Sequence, residues 1–363
     1  MKVVIFSCST GGGHNSCARY IEDELRKNGV EANYVNYLEL VGEKQAKRAE
    51  DLYLKSVSGN GTIFKNVYKI GELYNKTPLK SPVYFFNGLN KKRILNFLKE
   101  NGYDLVICTH LFPSLAITKI KKEYDIPLIN VATDYECIPF WNETNPDIFI
   151  TPSELLTDSF VEKKINKEVI RPIGIPVSSK FKKVTNKLDL PNDKDIVLIT
   201  SGSMGFGKMN DIVNLILKEV KNIYLVVVCG NNKELYNSLK KIRNKRLLLV
   251  GFTDKMYEYM KKSTIVITKP GGLTTTEVAT LHKPLIHMMP IPGVENYNAK
   301  FYSENKMSLC ANNEEEIVEN IKLLLKDKDL AKELITNQKK IINENSAQDL
   351  VDLLIEEYGK VKI

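Results

Sequence analysis

The chain alternates short apolar runs with amphipathic stretches of helix length, and this alternation constrains the fold more than any other feature. Most of the runs are continuously apolar, which is typical of strands buried on both faces of a sheet. A repeated strand-helix-strand pattern predicts parallel sheets covered by helices. The predicted strands are Val3–Phe6, Asn33–Tyr37, Leu105–Cys108, Leu128–Ala132, Ile148–Thr151, Val197–Ser201, Leu225–Cys229, Leu247–Val250, Ile265–Thr268, Leu285–Met288 and Met307–Cys310. Predicted helices between them include Asn15–Lys27, Asp211–Val220 and Glu314–Leu325.

The pattern begins twice with a strand that runs into a glycine-rich loop. Val3–Phe6 leads into GGGH, and Ile196–Ser201 leads into GSMGFGK. A strand, a glycine-rich loop and a helix form the opening of a mononucleotide-binding half. Between the two openings, Val169–Lys194 carries Pro172, Pro176 and Pro191 among many lysines, which indicates a hinge. The sequence therefore predicts an α/β protein with two Rossmann-like domains facing a cleft.

Composition sets the class of protein. A length of 363 residues suffices for two domains, and 43% hydrophobic with 26% charged residues is typical of a folded, soluble chain. No stretch approaches the ~20 apolar residues that cross a bilayer, and the first residues do not resemble a signal peptide. The six cysteines are scattered without metal-ligand spacing, which favours reduced thiols in a cytosolic enzyme. The net charge of +8 suits nucleic acid, an anionic membrane or phosphorylated ligands.

The positive charge is concentrated in one stretch that also contains aromatic residues. Its basic residues are Lys65, Lys69, Lys76, Lys80, Lys91, Lys92 and Arg93, against the single acid Glu72. The interleaved aromatics include Tyr84, Phe85 and Phe86. Such a mixture suits the headgroup layer of an anionic membrane, and it also suits single-stranded nucleic acid or a solvated helix with core aromatics. Because Gly42–Asn90 departs from the strand-helix rhythm, we predict an insertion on the first domain over about 42–93.

Thr268–Ala299 predicts an anion-binding pocket. A strand end is followed by the Gly271-Gly272 turn and a helix that opens on three threonines. Unpaired N–H groups and the helix dipole favour an anion at such a helix start, and glycine lets a ligand approach the backbone. A diphosphate is the natural ligand. Glu277 is predicted in the first helical turn, where it could reach a sugar hydroxyl or instead close a capping box with Thr274.

Three motifs together resemble one known family. They are KPGG-x-T-x-x-E with P-x-PG-x-E-x-x-N, SCSTGGGHNSCA at Ser7–Ala18, and TDYECIPFW at Thr133–Trp141. They are similar, in order and spacing, to the monogalactosyldiacylglycerol synthases and bacterial diacylglycerol glucosyltransferases, and more distantly to the peptidoglycan N-acetylglucosaminyl transferase. The resemblance implies the glycosyltransferase-B (GT-B) fold. It also implies an acceptor domain over residues 1–175, a UDP-sugar domain over 176–345, and a last helix, 346–363, that packs back on the first domain.

The resemblance further implies the roles of individual residues. The catalytic pair would be His14 and Asp134, and which of them is the base stays open. The donor diphosphate would lie against Gly13, Gly202, Ser203, Gly205, Gly271, Gly272, Leu273 and Thr274. The nucleoside would contact Phe252, Thr253 and Glu277, and the hexose would contact Glu295 and Asn298. The acceptor or the membrane would meet Trp141, Tyr84, Phe85, Phe86, Lys91, Lys92 and Arg93.

The expected activity is transfer of a hexose, with inversion, from a UDP-sugar to diacylglycerol or a glycosyldiacylglycerol. We expect no metal and no cofactor, because no D-x-D carboxylate pair lies on a loop at a strand end. The expected partners are the UDP-sugar, the lipid acceptor and an anionic membrane but no nucleic acid, and the expected location is the inner face of the cell membrane. Ile138 and Val294 depart from the family pattern, so another lipid or a soluble acceptor stays open, and the hexose is undecided. A UDP-sugar-binding protein without turnover and a sugar-nucleotide epimerase of the same fold are the alternatives.

Overall fold

The computed structural model describes residues 1–9, 12–42, 80–81, 84–85, 90–182, 188–200, 209–290 and 293–359. Their strands are β1 (Lys2–Ser7), β2 (Glu31–Asn36), β3 (Leu105–Cys108), β4 (Leu128–Val131), β5 (Ile148–Ile150), β6 (Ile170–Arg171), β7 (Asp195–Thr200), β8 (Ile223–Val228), β9 (Leu247–Val250), β10 (Ile265–Thr268), β11 (Leu285–Met288) and β12 (Leu309–Ala311). Their α-helices, in chain order, are α1 (Gly12–Lys27), α2 (Tyr37–Val41), α3 (Lys91–Asn101), α4 (Leu111–Ile120), α5 (Thr157–Glu162), α6 (Met209–Glu219), α7 (Lys233–Leu239), α8 (Met256–Lys262), α9 (Gly272–Thr280), α10 (Val294–Glu304), α11 (Glu314–Lys326), α12 (Lys328–Ile341) and α13 (Ser346–Tyr358).

The chain divides into two compact units. The first comprises the described residues within Met1–Ser178, Ile291–Val294 and Asn345–Ile363. The second comprises those within Ser179–Pro290 and Glu295–Glu344. Each unit contains one six-stranded sheet in which every neighbouring pair of strands is parallel. The α/β class with two Rossmann-like units is therefore confirmed.

The first sheet has the strand order β2-β1-β3-β4-β5-β6. Its central strands are fully buried because helices cover both faces, and Ile5 of β1 lies opposite Ile107 of β3. The chain leaves β1 toward one edge and returns beside it as β3. Ligands of open parallel sheets bind at such a reversal, outside the carboxyl ends of the strands. The loops after β1 and β3 therefore flank a favourable position for a site.

Helix α13 completes the first unit, although its sequence comes last. Its apolar face buries Leu350, Val351 and Leu354, and the helix packs against α1. Ser346 Oγ donates a hydrogen bond of 2.8 Å to the carbonyl of Ile175. The side-chain amides of Gln348 and Asn28 are 3.2 Å apart. The last helix is thus an integral layer of this unit.

The second sheet has the order β12-β11-β10-β7-β8-β9, and its reversal lies between β7 and β10. Ile199 of β7 pairs with Ile267 of β10, and both side chains are buried in the core of the unit. The loop after β10 begins at Lys269 and runs into α9. The loop after β7, residues 201–208, lies outside the described residues, and so do Gly202, Ser203 and Gly205.

All eleven predicted strands are present, with small shifts at their ends. The two-residue strand β6 was not predicted, and it lies inside the stretch predicted as a hinge. Most of the predicted insertion over 42–93, including Phe86, lies outside the described residues. Across the described ranges, no helix combines the length and apolar character needed to span a membrane.

Candidate active site

His14 lies in the first turn of α1, at the strand reversal of the first sheet. Its Nδ1 is 2.9 Å from the carbonyl oxygen of Thr109 and 2.7 Å from Oγ1 of Thr133. A carbonyl oxygen only accepts hydrogen bonds, so the short contact to Thr109 requires a proton on Nδ1. In the neutral ring the lone pair is then on Nε2. The geometry therefore makes Nε2 the nitrogen that can accept a proton from a substrate.

Thr133 was not among the predicted site residues. It lies two residues after the end of β4, and its side chain is buried. The carboxyl ends of β3 and β4 together hold the histidine, because Thr109 Oγ1 also donates to the carbonyl of His14 at 3.1 Å. Asp134, the predicted partner of His14, is the next residue along the same strand end. In the sequence analysis, Thr133 appeared only as the first residue of the motif TDYECIPFW, without a role of its own.

A second histidine lies beside His14. The rings of His14 and His110 are 4.9 Å apart between centroids and meet edge to face. His110 caps α4, where its Nδ1 accepts a hydrogen bond of 3.2 Å from the N–H of Phe112. Burial, with a smaller contribution from His14, holds the pKa of His110 well below its usual value. His110 therefore stays neutral near pH 7 and places no positive charge beside His14. The sequence analysis gave His110 no role.

The structure corrects the prediction that Trp141 and Tyr84 face lipid or acceptor. Trp141 is only 4% exposed and its ring centroid lies 5.1 Å from that of Phe149. Tyr84 is buried in the same cluster, against which Ile138 packs. Both rings are large apolar bodies that pack with residues of α4 and of the loop between β4 and β5 (residues 132–147, called the acceptor loop here), and packing there outweighs exposure. Phe85, by contrast, is 61% exposed.

In α3, Lys92 and Arg93 are exposed and Lys91 is half-buried. Lys91 forms an ion pair of 2.5 Å with Glu123.

The loop after β10 (residues 269–271), which the sequence predicts to hold the donor diphosphate and which is called the donor loop here, leads into the N-terminus of α9. Helix α9 starts at Gly272 after the N-cap Gly271, and no side chain caps it. The first N–H to bond back along the helix is that of Thr275, which donates to the Gly271 carbonyl at 3.0 Å. The N–H groups of Gly272, Leu273 and Thr274 therefore have no carbonyl partner within the helix. Such a group of donors at the positive end of a helix dipole suits a phosphate.

Gly271 has no internal reason to be glycine. Its backbone angles, φ −73° and ψ 132°, are accessible to any residue. A Cβ placed there would meet no described atom within 4 Å. Neither backbone strain nor packing among the described residues thus demands a missing side chain. Among the described residues, the space in front of Gly271 is open, which a ligand at the helix N-terminus would require.

The capping-box prediction for Glu277 is wrong, and so is its assignment to the first helical turn. The box requires Thr274 as N-cap, but α9 begins two residues earlier and Thr274 is already helical. Glu277 consequently lies in the second turn, where it is 6% exposed. The early start excludes the capping box, and the contact of Glu277 with a ribose stays a prediction.

The structure also corrects the assignment of Asn298 to the hexose. Asn298 is fully buried in α10, and its Nδ2 donates a hydrogen bond of 2.9 Å to the carbonyl of Pro270. Buried carbonyls are normally hydrogen-bonded, and the amide of Asn298 satisfies that of Pro270 in the donor loop.

The carboxylate of Glu295, in the first turn of α10, raises the pKa of Lys269. Burial of the lysine has the larger effect, so the net result is a lowered pKa.

His287, in β11, contacts the helix α9 that follows the donor loop. Its ring is fully buried, with Nε2 at 3.2 Å from Thr275 Oγ1 and Nδ1 at 3.1 Å from Ser308 Oγ. Burial lowers its pKa to about 3, so the ring is neutral.

At the predicted nucleoside position, Phe252 is 71% exposed, and Thr253 Oγ1 accepts from the N–H of Lys255 at 3.1 Å. No cluster of metal-ligating side chains occurs among the described residues.

Comparisons with known proteins agree with this arrangement. The sequence profile described as monogalactosyldiacylglycerol (MGDG) synthase matches residues 14–177, and that of the glycosyltransferase family 28 C-terminal domain matches residues 196–354. A protein of Bacillus cytotoxicus, named processive diacylglycerol beta-glucosyltransferase, is 29% identical over 372 residues, covering 98% of this chain and 94% of its own.

Two solved structures show the same fold. Acinetobacter baumannii MurG has a TM-score of 0.65 at 14% identity, over 98% of this chain and 99% of its own. The UDP complex of Staphylococcus aureus MnaA has a TM-score of 0.67 at 13% identity, over 99% of this chain and 98% of its own. The fold and the matched domains define a glycosyltransferase of the GT-B class. The chain belongs to the family of the monogalactosyldiacylglycerol synthases and the processive diacylglycerol glucosyltransferases.

Proposed function

We propose that this protein transfers glucose from UDP-glucose to diacylglycerol, or to a glycosyldiacylglycerol, with inversion at C1. The observation that carries the proposal is His14, whose Nδ1 proton is fixed by the Thr109 carbonyl so that Nε2 is the basic nitrogen. The similarity to the Bacillus cytotoxicus diacylglycerol glucosyltransferase over 98% of the chain supports the choice of substrates.

The proposed reaction needs one base and one site of positive potential. Nε2 of His14 takes the proton of the acceptor hydroxyl as its oxygen attacks C1 of the sugar. The bond between C1 and the diphosphate breaks, and UDP leaves from the opposite face. The N–H groups of Gly272, Leu273 and Thr274 receive the negative charge of the leaving group. The reaction proposed here uses no metal, because backbone donors supply the potential. Attack from the opposite face on an α-linked donor produces a β-glucoside.

The proposed location is an anionic membrane at the inner face of the cell. Phe85 presents an exposed ring beside a group of lysines. Lys119 Nζ lies 4.3 Å from the centroid of the Tyr84 ring, and Lys80 Nζ lies 5.2 Å from it. The pKa of Lys119 is lowered by burial first and then by its neighbours Lys91 and Lys122. A surface on which cations repel one another and an aromatic ring is exposed suits anionic headgroups.

The test is UDP release from UDP-glucose and UDP-galactose in EDTA, with and without vesicles of diacylglycerol and anionic lipid. We expect release from UDP-glucose that requires diacylglycerol, survives EDTA and is lost in His14→Ala. UDP release that does not depend on diacylglycerol would support the donor site but indicate a different acceptor. A different acceptor is the first alternative because Ile138 departs from the family pattern. UDP binding without release would instead indicate a sensor of UDP-sugars.

A further inference from the structure

We infer that Glu143 is a positioning residue that joins the Tyr84–Phe85 surface to the acceptor loop of the active site. The inference rests on the proposed function, because it assigns to that surface a part in lipid glycosylation. Glu143 ends the short 3-10 helix Trp141–Glu143 and is only 6% exposed. Burying a carboxylate costs free energy unless hydrogen bonds satisfy it. The hydrogen-bond partners of Glu143 therefore indicate its role.

Both partners of the carboxylate belong to one distant residue. Oε1 accepts from the N–H of Ser81 at 2.6 Å, and Oε2 accepts from the Ser81 hydroxyl at 2.6 Å. Hydrogen bonds to an ionised acceptor are about twice as strong as neutral ones. Lys80 adds a contact of 3.4 Å from Nζ to the Glu143 carbonyl. A segment 62 residues away in sequence is thus attached to the acceptor loop through one residue, Glu143.

Ser81 in turn organises the aromatic surface. Its hydroxyl accepts from the N–H of Tyr84 at 3.1 Å, and its carbonyl accepts from the N–H of Phe85 at 3.3 Å. Ser81 therefore acts as the cap of the turn that buries Tyr84 and exposes Phe85. Without the Glu143 carboxylate, the Ser81 hydroxyl loses the acceptor that orients it, and the turn loses its anchor.

On its other side, Glu143 is connected to the strand that ends at the active site. The next residue, Thr144, donates through Oγ1 to the Trp141 carbonyl at 2.6 Å and accepts from Asn130 of β4 at 3.0 Å. Asn130 lies three residues before Thr133, whose hydroxyl contacts His14. A continuous path of hydrogen bonds and backbone therefore runs from Phe85 through Ser81 and Glu143 to the proposed base. Lipid contact at Phe85 and the arrangement of the acceptor loop change together.

The single tryptophan, Trp141, provides a readout that needs no turnover, because it is buried two residues from Glu143. We expect anionic vesicles to shift its emission in the wild type and to leave it unchanged in Glu143→Ala. Without vesicles, Glu143→Ala should at least double the acrylamide quenching constant, and Glu143→Gln should restore most of the protection through its amide oxygen. Ser81→Ala tests the same contact from the other side. Glu154→Ala, which removes an exposed carboxylate of the same unit, is the matched control.

The kinetic expectation is a split between the two substrates. Glu143→Ala should raise the KM for diacylglycerol in vesicles about tenfold and leave the KM for UDP-glucose within twofold. Parallel changes in both KM values, or quenching equal to that of the wild type, would overturn the inference and indicate a purely structural carboxylate. A wild type that is inactive with diacylglycerol would refute the proposed function, while the tryptophan response to vesicles would still decide the role of Glu143.

Discussion

Replacing Gly271 by alanine should separate ligand binding from stability. The backbone at Gly271 is in a region open to every residue, and an added Cβ meets no described atom within 4 Å. Alanine restricts the unfolded chain, which stabilises by about 0.4–1 kcal/mol. It is also a poorer N-cap than glycine, which costs a similar amount. The two effects oppose each other, so we expect the free energy of unfolding to change by less than about 1 kcal/mol.

The effect on binding should be much larger. If the diphosphate of UDP lies against the N–H groups at the start of α9, the new methyl group occupies its space. The loss of one charge-assisted hydrogen bond costs about 1.5–3 kcal/mol, which weakens the Kd by at least about tenfold. Isothermal titration with UDP measures this change, and thermal unfolding measures stability on the same sample.

Gly102→Ala is the control variant in which stability should change and UDP binding should not. Gly102 has φ 64° at the end of α3 in the first unit, so alanine is strained there. We expect this control to lose about 1 kcal/mol of stability and to bind UDP like the wild type. If Gly271→Ala bound UDP with unchanged affinity, the diphosphate would not approach this turn, and the donor site as we describe it would be refuted.

Three further predictions concern residues that support the site. Thr133→Val should lower kcat about tenfold at an unchanged KM for UDP-glucose, because the hydroxyl 2.7 Å from Nδ1 of His14 is lost, while Thr133→Ser keeps it; equal losses in both variants would contradict this role. His287 has a folded-state pKa of about 3, below its unfolded value of about 6.5. Its contribution to stability is therefore complete above pH 6.5 and falls by about 1.4 kcal/mol per unit as the pH drops toward 3. Denaturant unfolding at pH 7.5 and 5 should show about 2 kcal/mol less pH dependence in His287→Gln, and identical slopes would contradict the assignment. Asn298→Asp places a carboxylate against the Pro270 carbonyl, so UDP affinity and melting temperature should fall together; tight UDP binding in this variant would show that the loop does not depend on Asn298.

The strands could be predicted from sequence because burial on both faces leaves a direct mark in composition. Leu105–Cys108 and Ile265–Thr268 were predicted to the residue, since four apolar or β-branched side chains in a row have few other uses. Strand β6 escaped because two residues, Ile170 and Arg171, are too few to form a pattern. Its place is set by pairing with β5, which sequence does not encode locally.

The contacts within the site were harder to predict than the loops that carry them. The motifs GGGH and TDYECIPFW identified two loops that the structure places at the reversal of the first sheet. Which side chain contacts His14 depends on the register of β3 and β4, and that register is a tertiary property. The same reason explains the burial of Trp141 and Asn298, which the family resemblance had assigned to the acceptor and the hexose. A residue type indicates which chemistry is available, and only packing decides where it faces.

The position of α13 has a consequence for how the protein is made. The described residues of 179–290 and 295–344 form a unit of their own, and the helix that completes the first unit is synthesised after them. During translation, the surface of α1 that α13 covers therefore stays exposed until the second unit has been synthesised. Chains stalled or cleaved near residue 344 should contain a folded second unit and an incomplete first unit, with apolar surface accessible to chaperones. The order of synthesis thus makes the second unit, although it begins later in the sequence, the first to be completed.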